Sequence, residues 1–284
     1  MFAVLGATGK TGRYLVERLC ADGHDVLAIG RSLERLEALG PGCRHALADF
    51  DHPVSVARAL VGARLVLSLV HARHTGILLD CLPSSCERLV LTGSTRRFTE
   101  LPDPAADAVR TAETLFLSSG VSGVMLHPSM IYGAPDDRNV NRLLRLVRSA
   151  RILPLPNGGR NLVQPIFVDD MVAAFAAAAT QPSAPGPSIV AAGPRPITYA
   201  AMVRACAAAQ DSSITIVPLP APLLRAGAGL AAAMGIATPF SAAEIRRSTE
   251  DKSFDISALE QRLGVTPRSF EEGLRLKIER GWVA

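Results

Sequence analysis

Apolar and polar positions change their period repeatedly along the first half of the chain. Phe2-Ala3-Val4-Leu5 is a continuous apolar run closed by Gly6, the pattern of a short buried strand. Tyr14, Leu15, Leu19 and Cys20 then recur at helical spacing through 10–21. Buried-strand runs return at 24–30, 43–49, 64–70, 87–93 and 122–128, with helical stretches between them. Strands that alternate with helices predict βαβ units and a parallel sheet. Right-handed crossovers make that sheet doubly wound.

After Pro128 the alternation gives way. The spacing predicts an amphipathic helix over 141–150, a Pro- and Gly-rich loop over 153–159, and a strand running into an Ala-rich helix over 163–179. A Pro-rich connector follows at 180–187. The tail reads as a helix over 196–210, an apolar helix within 223–240 that we expect to be packed, and helical segments in 256–283. The fold class predicted is α/β, a doubly wound parallel (Rossmann) sheet over 1–128 plus 162–195. A smaller C-terminal substrate region takes 129–161 plus 196–284.

Composition narrows the class. A hydrophobic share of 48% and a charged share of 20% support a substantial core and exclude a disordered chain. The net charge is +4, with basic and acidic residues interspersed and aromatics at 5%, so neither a basic groove nor a stacking surface for nucleic acid is indicated. The apolar stretch from Leu223 to Phe240 is interrupted by Arg225, three glycines and Pro239, and is short of the ~20 residues that cross a bilayer, so no membrane role is expected. The opening MFAVLGATGK lacks the marks of a signal peptide, and five cysteines without a C-x-x-C pair suit a reduced, cytoplasmic setting with no zinc site.

The first candidate chemistry sits between the first strand and the first helix. Gly6, Thr8, Gly9, Lys10, Thr11 and Gly12 form a G-x-x-G-x-x-G loop. A helix N-terminus carries unpaired N–H groups and a partial positive charge, and so attracts phosphate. Glycines permit the tight turn, the approach of backbone to a pyrophosphate and close packing of helix on strand. Gly9-Lys10-Thr11 also imitates the end of a triphosphate-binding P-loop, but that motif requires a glycine where Val4 stands. Arg31 follows the second strand at the position where an acid would bind the 2′-OH of NAD, and an arginine accommodates a 2′-phosphate. The cofactor expected is NADP, with NAD as the alternative.

These residues resemble the extended and atypical short-chain dehydrogenase/reductase superfamily, the group of NAD-dependent epimerases and dehydratases. The resemblance runs over most of the chain. Ala48-Asp49-Phe50-Asp51 is similar to the family's acidic motif after the third strand, which implies that Asp49 and Phe50 meet the adenine side of the cofactor. Val70 and His71 stand where the fourth strand of the family meets the cofactor. The stretch from Leu126 to Gly133 resembles L-R-P-x-x-x-Y-G, with His127 in place of arginine, which implies that Pro128 lies near the nicotinamide. Phe167-Val168-Asp169-Asp170 and the tail from Leu263 to Gly273 match two further family motifs.

The family's acid–base chemistry uses Ser, Tyr and Lys. Ser94 matches the serine. The tyrosine and lysine slots fall on Ala105 and Val109, and the chain has no Tyr between Tyr14 and Tyr132 and no Lys between Lys10 and Lys252. Ser94, His127 and Tyr132 are the remaining candidates for a catalytic role, histidine because its unperturbed pKa of about 6.5 suits proton transfer near neutrality. The expectation is an NADPH-dependent reductase that acts on a small molecule without the dyad; a homodimer is open. The alternative is a non-catalytic redox sensor or assembly factor. Arg142, Arg145, Arg148 and Arg151 recur every three residues, a stripe read either as a solvated face or as a contact for an anionic substrate or partner.

Overall fold

The computed structural model describes residues 1–181, 187–236 and 238–282. The chain divides into two compact units. The first comprises 1–129, 168–191 and 255–266. In chain order it holds β1 (Phe2–Leu5), α1 (Gly12–Ala21), β2 (Val26–Gly30), α2 (Leu33–Glu37), β3 (Arg44–Leu47), α3 (Pro53–Ala59), β4 (Leu65–Ser68), α4 (Thr75–Asp80), β5 (Arg88–Thr92), α5 (Pro104–Ser118) and β6 (Gly123–Pro128). The second unit comprises 130–167, 192–254 and 267–284. Its first elements are β7 (Ile131–Tyr132), α6 (Asn139–Ser149), β8 (Ile152–Pro156), β9 (Leu162–Val163) and β10 (Ile166–Phe167). The chain then returns to the first unit as α7 (Val168–Thr180) and β11 (Ser188–Ala191). The second unit resumes with β12 (Ile197–Thr198), α8 (Tyr199–Ala208), β13 (Thr215–Leu219), α9 (Ala221–Ala233) and α10 (Ala242–Arg247). The last two helices are α11 (Ser257–Leu263), in the first unit, and α12 (Phe270–Glu279), in the second.

Seven parallel strands form the sheet of the first unit, in the order β11-β6-β5-β4-β1-β2-β3. The order reverses between β1 and β4, the switch point where open α/β sheets bind ligands. The apolar runs read from sequence are these strands: all of β1 and Val66, Leu67, Leu89, Val90, Val124, Met125 and Leu126 are buried. Continuous burial is what a sheet covered on both faces demands.

The structure departs from the sequence expectation in four places. β11 adds a strand directly after the connector read over 180–187, most of which lies outside the described residues. The 153–159 loop is in part β8, which pairs in parallel with β13 despite Pro154 and Pro156. Leu153 and Leu155 point inward while Ile152 and Pro154 are exposed, the alternation of a half-buried strand. The unit boundaries fall at 168 and 191 rather than 162 and 195, and 255–266 rejoins the first unit because α11 packs against β11 and α7. The apolar helix α9, expected to be packed, buries only Ala228.

Candidate cofactor site

The glycine loop, Arg31, Asp49–Phe50, Val70–His71, Ser94 and Pro128 each end or follow a strand of the parallel sheet, and so lie at its C-terminal edge. Gly6 leaves β1 at φ 77°, and its N–H donates to the Ile29 carbonyl, while the Gly9 N–H closes the turn onto the Gly6 carbonyl at 2.9 Å. A side chain at Gly12 would collide with the carbonyl oxygen of Gly6, so α1 begins directly against the loop backbone. Gly9 is exposed and a Cβ there would meet only the Gly6 carbonyl, at 3.0 Å. The loop therefore presents bare backbone, followed by the first turn of a ten-residue helix. This geometry suits a pyrophosphate, which needs close approach to N–H groups. Thr8 and Thr11 are half-buried in the loop and Lys10 is exposed beside them.

At the end of β2, Arg31 is exposed and Ser32 caps α2 by accepting from the Arg35 N–H. The Arg35 guanidinium reaches back 27 residues and donates to the Thr8 carbonyl at 2.9 Å. Arg35 is thus tied to the glycine loop, and exposed Arg31 directly follows β2. The sequence singles out Arg31 but not Arg35, whose link to Thr8 is not local. After β3, Asp49 accepts from the Asp51 N–H at 3.1 Å, and Phe50 stacks on His74 with ring centroids 4.7 Å apart. Burial, followed by the charge of Arg73, pushes the His74 pKa down. After β4, the Leu69 N–H donates to the Leu5 carbonyl at 2.9 Å, Val70 is half-buried, and exposed His71 accepts from the Arg73 N–H at 3.2 Å.

The ends of β5 and β6 are knitted together differently. His127 is fully buried and its Nδ1 accepts the Ser94 backbone N–H at 3.2 Å. That bond leaves the proton on Nε2, which faces Glu113 Oε1 at 3.3 Å. Glu113, itself buried on α5, is paired with Arg97 at 2.6 Å. Burial is the main cause that pushes the His127 pKa below its ordinary value, outweighing the raising effect of Glu113. Gly93 lacks a side chain because the His127 ring fills that space. Ser94 Oγ accepts from the Arg96 N–H at 3.1 Å, and Thr95 Oγ1 donates to the Pro128 carbonyl at 3.2 Å. The Glu113–Arg97 link was invisible to local pattern.

Ala105 and Val109, which the family resemblance places in the tyrosine and lysine slots, lie on α5, Val109 in the core. Tyr132 belongs to the second unit. It is buried between Phe167 and Phe270, and its hydroxyl donates to the carbonyls of Phe270 at 3.1 Å and Ser269 at 3.3 Å. Asp169 and Asp170 occupy the first turn of α7, where acidic groups favour the helix dipole.

An open parallel sheet whose switch point carries a glycine loop is the architecture on which dinucleotides are bound. Residues 6–139 match the model of a family described as NAD(P)H-binding. Among curated proteins, the chain is 27% identical over 197 residues to the mitochondrial NADH dehydrogenase [ubiquinone] 1 alpha subcomplex subunit 9 of Arabidopsis thaliana, an alignment that covers 62% of this chain and 49% of the relative. The chain thus spans about half the length of that relative. Among solved structures, triphenylmethane reductase of Citrobacter sp., complexed with NADP(H), superposes with a TM-score of 0.79 at 17% identity, over 98% of this chain and 100% of the other. An NADPH-dependent quinone oxidoreductase of Escherichia coli, complexed with NADPH, gives 0.76 at 18% identity, over 98% and 100%. At these identities the likeness is one of fold. The match over 6–139 is thus to an NAD(P)H-binding family model, and the solved structures share the doubly wound fold of the chain.

Proposed function

We propose that the protein is an NADPH-dependent reductase of electron-poor small molecules, working without a Tyr–Lys dyad. The observation that carries this reading is the pairing of a bare glycine loop with Arg31 and Arg35 beside it. Gly6, Thr8, Gly9, Lys10, Thr11 and Gly12 would hold the pyrophosphate, and the two arginines a 2′-phosphate. Asp49 and Phe50 would flank the adenine, and Val70, His71 and Pro128 would line the path toward the nicotinamide. When bound, the cofactor supplies hydride.

The chain's own contribution is binding and orientation. Ser94 would donate its hydroxyl to an acceptor oxygen, held in place by the His127 bond to its backbone. His127 and Tyr132 are given structural roles, because the first is locked between Ser94 and Glu113 and the second donates to main-chain carbonyls. With no tyrosinate to remove a hydroxyl proton, alcohol oxidation is disfavoured, since such help is worth about 10²–10⁴-fold. Quinones and triphenylmethane dyes, named for the two reductases of the same fold, are the first acceptors to assay.

A second reading is supported by the same apolar residues in the dyad slots and by the likeness to part of a subunit named for NADH dehydrogenase [ubiquinone]: a cofactor-binding protein without turnover. Titration with NADPH and NADH, followed by a panel of quinones, dyes, enones and alcohols, separates the two. Preferential NADPH binding with reduction of at least one electron-poor acceptor supports the reductase. Tight binding without turnover on any acceptor supports the second reading.

A further inference from the structure

Helix α9 of the second unit is apolar and nearly bare. Ala228, with half-buried Ala221, Leu224 and Ala231, forms the side that faces the protein, where α9 packs against β8 and α10. The opposite side carries Leu223, Ala226, Leu230 and Met234, one continuous stripe at i, i+3, i+7 and i+11. Leu223, Leu230, Met234 and the following Ile236 are 60%, 63%, 59% and 55% exposed. Ile152, at the start of β8, adds a side chain that is 61% exposed. Gly227 and Gly229 lie inside the helix with open space where a Cβ would be, so packing within the chain does not require them. A helix with two interior glycines and one buried residue is poorly stabilised by its own propensity and packing.

The charge of the same unit is lopsided. The second unit has 16 Arg and Lys against 9 Asp and Glu, a net +7, whereas the first has 14 against 17, a net −3. Of the arginine stripe on α6, Arg142 is drawn into an ion pair with Glu244 at 2.8 Å. Arg145, Arg148 and Arg151 stay exposed and make no ion pair among the described residues, as does Arg225 on the flank of α9. Arg148 and Arg151 lead directly into β8, the strand on which α9 lies.

An exposed apolar patch of this kind marks an interaction surface, and flanking, unneutralised arginines suit an anionic lipid one. Long arginine side chains reach from such a position to lipid phosphates. We propose that the second unit docks on an anionic lipid surface, with the Leu223–Ala226–Leu230–Met234 stripe entering the interface and Arg145, Arg148, Arg151 and Arg225 meeting the headgroups. Charge complementarity selects this occupant over a second copy, because two identical units of net +7 would repel one another across the patch.

Co-sedimentation of the full chain with vesicles tests this. Vesicles of phosphatidylcholine with about one-third phosphatidylglycerol should pull down the protein, and pure phosphatidylcholine vesicles should retain little. Each basic residue near an anionic surface is worth about fivefold in partitioning. A triple Arg145→Gln, Arg148→Gln, Arg151→Gln variant should therefore lose binding by about a hundredfold. Salt at ~0.5 M should weaken the binding of the unmodified chain by screening. Leu223→Asp with Leu230→Asp should abolish binding while NADPH affinity is kept, a check that the fold survives. No sedimentation of the unmodified chain with anionic vesicles would overturn the proposal. So would undiminished binding of either variant. A homodimer in light scattering that Leu223→Asp with Leu230→Asp dissociates would overturn it too, assigning the stripe to a second copy.

Discussion

The glycine loop after β1 and the Ser94–His127 junction after β5 and β6 sit at the same edge of one sheet, yet they are built on opposite plans. The loop offers exposed backbone and two arginines. The junction is a closed chain in which Ser94, His127, Glu113 and Arg97 satisfy one another. A site made to bind a ligand leaves polar groups unanswered until the ligand arrives. A site made to hold a shape answers them internally, since an unpaired buried polar group costs about 1–3 kcal/mol. The contrast teaches that an open phosphate-sized loop and a closed polar junction can share one sheet edge: the loop leaves its backbone free, and His127 is tied into the junction.

The largest test of this contrast is His127→Ala. It would orphan the Ser94 N–H, leave Glu113 with one partner fewer and open a cavity, and should cost about 3 kcal/mol in denaturant unfolding. The pH dependence has a defined sign. Burial depresses the pKa of His127 in the folded protein, so the unfolded chain binds the proton more readily. Its contribution is complete above about pH 6.5 and is lost as pH falls through the lower folded value. The unmodified protein should lose stability below that pH more steeply than His127→Gln. Equal slopes would show that His127 is not held neutral.

Gly9→Val should have its effect on binding. A branched side chain on the exposed face of the loop should weaken NADPH binding by about a hundredfold in a fluorescence titration, with little change in Tm. If Gly9→Val lowered Tm and spared affinity, the loop would belong with the structural junction rather than opposite it.

Arg31→Asp comes next. Removing one charge-assisted bond and adding a repelling carboxylate should weaken NADPH by about tenfold and favour NADH. Unchanged preference would hand the selectivity to Arg35, whose tie to Thr8 then becomes the site to alter.

The smallest effect is expected from Ser94→Ala. Its hydroxyl would make one hydrogen bond to the acceptor, so turnover should fall about threefold to tenfold, with NADPH affinity unchanged. A loss of cofactor affinity would place Ser94 in the binding plan instead.

Sequence revealed the sheet where strands are buried on both faces, because β1, β4, β5 and β6 each hold three or four consecutive apolar residues. β11 escaped because its four residues follow a proline-rich stretch and show no period of their own. β8 escaped because prolines mark loops in general, yet are tolerated where a strand has an unpaired edge. Arg31 and the glycines were legible as a local motif. Arg35 to Thr8 and Glu113 to Arg97 were not, since those contacts form only when separate loops meet at the sheet edge. Helix α9 was misjudged for a simpler reason: apolarity records an unfavourable exposure to water without recording what relieves it.

On the function proposed above, the protein would hold NADPH and lack a group that abstracts a hydroxyl proton. One preparation, assayed in parallel for NADPH-dependent reduction of quinones and for NADP⁺-dependent oxidation of a broad set of secondary alcohols, tests it most directly. The account predicts steady quinone reduction and no alcohol oxidation above background from pH 6 to 9. Sustained alcohol oxidation with NADP⁺ would contradict it.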